Sequence, residues 1–216
     1  MKSTSFFYRI TATAAAGSAL LLIGMAFIAF PQGLEYPGVS VLTGELALSP
    51  ADQAAYAGAL GMLFLLDGLF LLGWLVSWVG IAQAARERMP LFGLLALVFG
   101  LAGALLDFSE NSIIWGVFQN LSAGRALNAD WLVTWKAVQH LSYWLPFIGA
   151  LFASFGLWSS DWRARITAVV GSVLVVFAAA GMYLPALALL PNVWFLLWFA
   201  SNAVLLWGHA GTHESG

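Results

Sequence analysis

Six stretches of this chain are each long and apolar enough to cross a lipid bilayer, and that constrains the fold more than any other feature. A crossing helix needs roughly 20 predominantly apolar residues at 1.5 Å rise each. The stretches cover about 10–30 (ITATAAAGSALLLIGMAFIAF), 56–84, 91–118, 131–158, 166–190 and 193–208. A soluble alternative does not fit, because the chain is 62% hydrophobic and only 8% charged, against about 25% charged in an ordinary soluble domain. So few charges cannot cover a water-facing surface. The expected fold is an all-α polytopic membrane bundle of six helices, forming one domain over 1–216 with no internal repeat and no linker.

Breaks fall between the apolar runs. Pro31, Pro37 and Pro50 lie in the first connection, Pro90 opens the third run, and Pro191-Asn192 reads as a tight turn. Pro146 and Pro185 fall inside apolar runs and are expected to kink them, which neighbouring helices tolerate in a bundle. The first run has a basic start (Lys2, Arg9) but exceeds the 7–15 residues of a secretory signal and has no A-x-A-like site after it, so it reads as a retained helix. Lys2, Arg9, Arg86, Arg88, Arg163 and Arg165 share one side of a six-span arrangement, while Arg125 and Lys136 lie on the other. The positive-inside rule then puts both termini in the cytoplasm, with loops 31–55 and 119–130 outside, in what is expected to be a bacterial inner membrane. Whether loop 31–55, with Glu35, Glu45 and Asp52, is a lid or a plain connection is left open by its sequence.

Several chemistries are excluded. A net charge of −2 suggests no nucleic-acid partner, and zero cysteines exclude thiolate sites and Cys nucleophiles. No P-loop or dinucleotide glycine fingerprint is present. His140 and His209 fall at unmatched depths for a bis-His haem, and a catalytic zinc usually takes two or three histidines. No cofactor is evident; the one place the sequence offers a metal is Asp107, Glu110 and His140.

What needs explaining is GLAGALLDFSENSIIWGVF, residues 100–118, which sets Asp107, Glu110 and Asn111 on one helical face inside an apolar run. Asp67 lies in the second run among apolar neighbours, and Asn202 in the sixth. In the fourth run, Lys136, His140, Tyr143 and Trp144 share a face by the same spacing. Most tryptophans read as an interfacial belt, with Trp74, Trp144 and Trp198 deep enough to line a pocket. Each ionisable group in a span costs roughly 2.5–3.5 kcal/mol on insertion scales and normally faces the bundle interior. These residues must therefore neutralise one another, hold protons or line a polar pocket.

The expected site is a cavity in the outer half of the membrane. Asp67 and Asn202 form its floor; Asp107, Glu110, Asn111 and His140 form its walls; Lys136 stands near the mouth. Asp67, Asp107, Glu110 and His140 are the candidate catalytic groups. Asn111, Lys136, Tyr143, Trp144, Trp74, Trp198 and Asn202 are the candidate substrate-binding groups. The reading this favours is a membrane-embedded enzyme that binds and converts a lipid-like or isoprenoid substrate by general acid–base chemistry. Membrane lipids are the expected partners, with a homo-oligomer or a membrane-complex subunit also open. Two other classes compete. One is a non-catalytic subunit or assembly factor whose polar residues fix helix packing; the other is a proton-coupled transporter.

Overall fold

The computed structural model describes residues 2–29, 50–122, 129–159, 161–187 and 189–212. They form the helices α1 (Lys2–Ala29), α2 (Pro50–Arg86), α3 (Pro90–Ser122), α4 (Ala129–Leu157), α5 (Trp162–Gly181) and α6 (Leu190–Thr212). Among the described residues, six helices are long and apolar enough to span a membrane, and no strand occurs. The chain is thus compatible with an integral membrane protein, as its composition requires. Loop 31–55 lies largely outside the described residues.

Each helix packs on its neighbours in the chain, and α6 returns against α1 to close the ring. The α2–α3 turn takes only Glu87–Met89, with Met89 donating back to Ala85 O at 3.0 Å. Pro90 opens α3 and Pro50 opens α2, where the missing N–H costs nothing. Asp161 caps α5 by accepting from Arg163 N at 3.0 Å. The expectations for two prolines change. Pro191 sits in the first turn of α6 rather than in a turn before it. Pro185 does not kink a helix: α5 ends at Gly181, and Pro185–Leu187 forms a short 3-10 turn.

The ends of α2 and α6 and the starts of α1, α3 and α5 share one face of the bundle, which carries Arg86, Arg88, Arg163 and Arg165 and is called the basic face below. Tyr8 ties it together, donating its hydroxyl to Glu87 and packing its ring 5.3 Å from His209. Tyr8→Phe removes one buried hydrogen bond to a carboxylate, so it should cost about 1.5–3 kcal/mol. A thermal melt in detergent checks this, and Glu87→Gln added to it should cost little more.

Outward-facing positions are apolar, with Leu20 69% and Phe27 75% exposed, as expected when lipid is the solvent. The core is aromatic. Trp74, Trp78, Trp194 and Trp198 are all buried. Trp74 donates to Gly100 O at 3.1 Å, Trp78 to Ala96 O at 2.6 Å and Trp194 to Val170 O at 2.9 Å. Trp78 and Trp194 therefore belong to the core, not to an interfacial belt. Glycine and alanine on the facing helices leave the carbonyls within an indole's reach. In α5 the turn Val170–Leu174 is π-helical. It carries Gly171, where a Cβ would run into Trp198 and Ser154.

Candidate functional site

Two complementary stripes build the site. Along α3, Gly93, Ala96, Gly100, Gly103, Asp107, Glu110 and Ile114 follow alternating three- and four-residue steps and face inward. Along α4, Trp135, Gln139, Ser142, Pro146, Gly149, Ala153 and Gly156 do the same. Such spacing keeps a row of side chains on one seam between helices. The helices run antiparallel, so each stripe's small end meets the other's. A Cβ on Gly103 would strike Pro146 at 2.6 Å, and one on Gly149 would stand 3.1 Å from Gly100 N. At the end away from the basic face, the acids of α3 meet the hydrogen-bond donors of α4.

Glu110 is the best-held of them. Its Oε1 accepts from Trp135 Nε1 at 3.2 Å and from Gln139 Nε2 at 3.0 Å, and its Oε2 accepts from the Ser142 hydroxyl at 3.1 Å. Asp67 reaches in from α2 and accepts from Asn111 Nδ2. Asp67 is only 5% exposed and Glu110 3%. Asp107 lies between them on the seam, close to both and to Ser142, and is half-buried. Tyr143 borders the three carboxyl groups and directs its hydroxyl to Asn192 Oδ1 at 3.4 Å.

Five of the expected residues are thus together: Asp67, Asp107, Glu110, Asn111 and Tyr143. Asp67 stands level with Asn111, whose amide it accepts, rather than beneath it. Lys136 and His140 are exposed, one position around the helix from the seam residues Trp135 and Gln139. The His140 ring meets Tyr183 edge-on at 5.9 Å, and Trp144 donates to the Tyr183 hydroxyl at 3.2 Å.

Trp74, Trp198 and Asn202 lie elsewhere. Trp198 packs 5.5 Å from Trp78, which is about 16 Å along α2 from Asp67. Asn202 follows one turn nearer the basic face, buried with both side-chain polar atoms unpaired, as is Trp198 Nε1. Neither joins the carboxylates.

The sequence reading passed over three residues of the site: Trp135, Gln139 and Ser142. Their signal was the stripe they share with Pro146 and Gly149.

The electrostatic character of the cluster is unusual. Every donor that meets it (Asn111, Trp135, Gln139, Ser142) is neutral. Among the described residues no Lys, Arg or His pairs with these acids, and no group of three or more His, Cys, Asp or Glu is arranged to hold a metal ion. Three carboxyl groups therefore share a low-dielectric seam whose unmet need is positive charge, as a proton or as a ligand. No family model, curated protein or solved structure matches this chain.

Proposed function

We propose that the protein binds a lipid-like or isoprenoid molecule at the carboxylate seam of α2, α3 and α4 and converts it by proton transfer at Asp107. The observation that carries this reading is the division among the three acids. Glu110 is buried and held by three neutral donors and Asp67 is buried and held by one, whereas Asp107 shares only Ser142 with Glu110 and is the least buried of the three by surface exposure. A proton donor or acceptor needs such access together with a fixed surrounding. Glu110 and Asp67 act as positioning residues that hold the local charge around Asp107. The flanks of the seam are apolar, with Leu105 and Phe108 exposed to lipid, which suits a substrate arriving from the membrane. With the basic face in the cytoplasm, the seam lies in the outer half of the bilayer.

One-sidedness supports this reading over transport. In the half nearer the basic face, the buried polar residues of the inner helix surfaces include Ser77, Ser154, Thr167 and Asn202, none of them ionisable, and the buried Tyr8 is tied to Glu87 at the basic face itself. A proton relay across the membrane normally needs titratable groups along its whole path.

Asp107→Asn is expected to leave the melting temperature within a few degrees of the parent and to lower conversion about 100-fold or more, the usual size of a lost acid–base group. The test incubates each purified protein with a bacterial total-lipid extract and compares the lipids by mass spectrometry. Undiminished conversion by Asp107→Asn would overturn the assignment. A lower melting point with no lipid altered by either protein would favour the packing reading instead.

A further inference from the structure

A second feature, independent of the carboxylate seam, lies at the other end of the bundle. Between α1 and α6 on the lipid-facing surface runs an open groove of about 1030 Å³. Small side chains make the trough: Ala16 and Thr13 from α1, with Ala203 and Gly208 from α6. At its basic-face end stand Arg163 and the indoles of Trp162 and Trp207, 57% and 59% exposed.

Arg163 is held in place. Its guanidinium lies across Gly208, where a Cβ would come 2.7 Å from Nη1, and it sits 5.4 Å over the Trp162 ring. Its backbone N–H donates to Asp161, but among the described residues no carboxylate pairs with the guanidinium. A fixed cation is thus placed at headgroup height between two exposed tryptophans, with an apolar trough leading from it toward the membrane interior.

We infer that this groove seats one anionic phospholipid of the leaflet on the basic side, its phosphate on Arg163 and an acyl chain along Ala16 and Ala203. Charge complementarity selects this occupant over a second copy of the chain. The groove ends at Arg163, two residues from Arg165 on the basic face, so a second copy in the same orientation would bring like charge against like. A guanidinium matches a phosphate with paired, parallel hydrogen bonds. Tryptophan at both sides of the headgroup is the usual interfacial anchor.

The test is native mass spectrometry of the full chain in mild detergent. Equal amounts of dioleoyl-phosphatidylglycerol and dioleoyl-phosphatidylcholine are supplied, so that only the headgroup differs. The parent should retain the anionic lipid about fivefold better, the advantage of one basic side chain at a membrane surface. Arg163→Gln should bring that ratio to about one, while Arg163→Lys should keep most of it. Ala16→Leu, at an exposed position that crowds no core residue, should lower occupancy by both lipids without lowering the melting temperature. Equal retention of the two lipids by the parent would overturn the inference. So would a preference that survives Arg163→Gln, or competition by millimolar inorganic phosphate as strong as by the lipid. A lipid-free dimer that Ala16→Leu dissociates would assign the groove to a second copy and overturn it too.

Discussion

Gly100→Val should abolish folding, or nearly so. A Cβ at this position falls inside the indole of Trp78, which is fully buried and donates to Ala96 O at 2.6 Å. That indole cannot retreat, because Trp74 lies 5.9 Å to one side and Trp198 5.5 Å to the other. The helix opposite cannot retreat either, since Gly149 of α4 already approaches the Gly100 backbone. Overpacking alone costs typically 1–3 kcal/mol. Displacing Trp78 also breaks a buried hydrogen bond and leaves its donor unpaired, roughly another 1–3 kcal/mol. A total of about 4 kcal/mol is a large part of the 5–15 kcal/mol that holds a typical domain together. The expected result is loss of the monodisperse peak on size exclusion. Gly24→Ala is the matched control: a Cβ there meets nothing within 4 Å, so its melting temperature should stay level or rise. Valine tolerated at position 100 would mean that α2, α3 and α4 do not converge there.

The same glycine shows what was legible in the sequence and what was not. Six apolar runs were readable, because lipid demands both length and apolarity and no other arrangement satisfies them. The acids on α3 were readable for the same reason, since Asp107 and Glu110 stand out against Leu and Ala. Rotation of α4 about its axis was not. Choosing its inward face by polarity selects Lys136 and His140, the most hydrophilic residues of that helix, and both are exposed. Packing chose differently. Pro146 against Gly103 and Gly149 against Gly100 fix the seam, and a step of one residue turns a helix by about 100°. Trp135, Gln139 and Ser142 are thereby brought in, and Lys136 and His140 are carried out. The alternating stripe of small residues, followed across both helices, carried this information. A long Lys side chain can reach the interface from an outward position, so it has no need to face the interior.

Tryptophan was misread for a related reason. In a bilayer the ring is favoured at the interface, yet Trp78 and Trp194 lie in the core because neighbouring carbonyls beside Ala96 and Val170 accept their N–H groups. Sequence alone does not show which carbonyls are uncovered.

Glu110→Ala and Glu110→Gln should differ sharply, and the difference separates a structural clamp from a chemical group. Alanine removes the acceptor of Trp135, Gln139 and Ser142 together. Interhelical hydrogen bonds in membranes are worth roughly 0.6 kcal/mol each, so the three lost here amount to about 2 kcal/mol. A cavity adds to that cost. Glutamine can satisfy every group. Its oxygen still accepts from Trp135 and Gln139, and its amide can donate to Ser142 Oγ, whose own proton then goes to Gln139 O, already 2.9 Å away. Glu110→Gln should therefore melt within about 1 kcal/mol of the parent, while Glu110→Ala melts well below it. In the double variant with Gln139→Ala, the two losses should fall short of additive, because one bond cannot be lost twice. If Glu110→Gln keeps its stability yet loses lipid conversion, the seam needs the carboxyl for its charge or its proton and not for holding α3 to α4. If it melts as low as Glu110→Ala, the negative charge itself binds the helices together, and Asp107 loses the fixed surroundings on which its proposed chemistry depends.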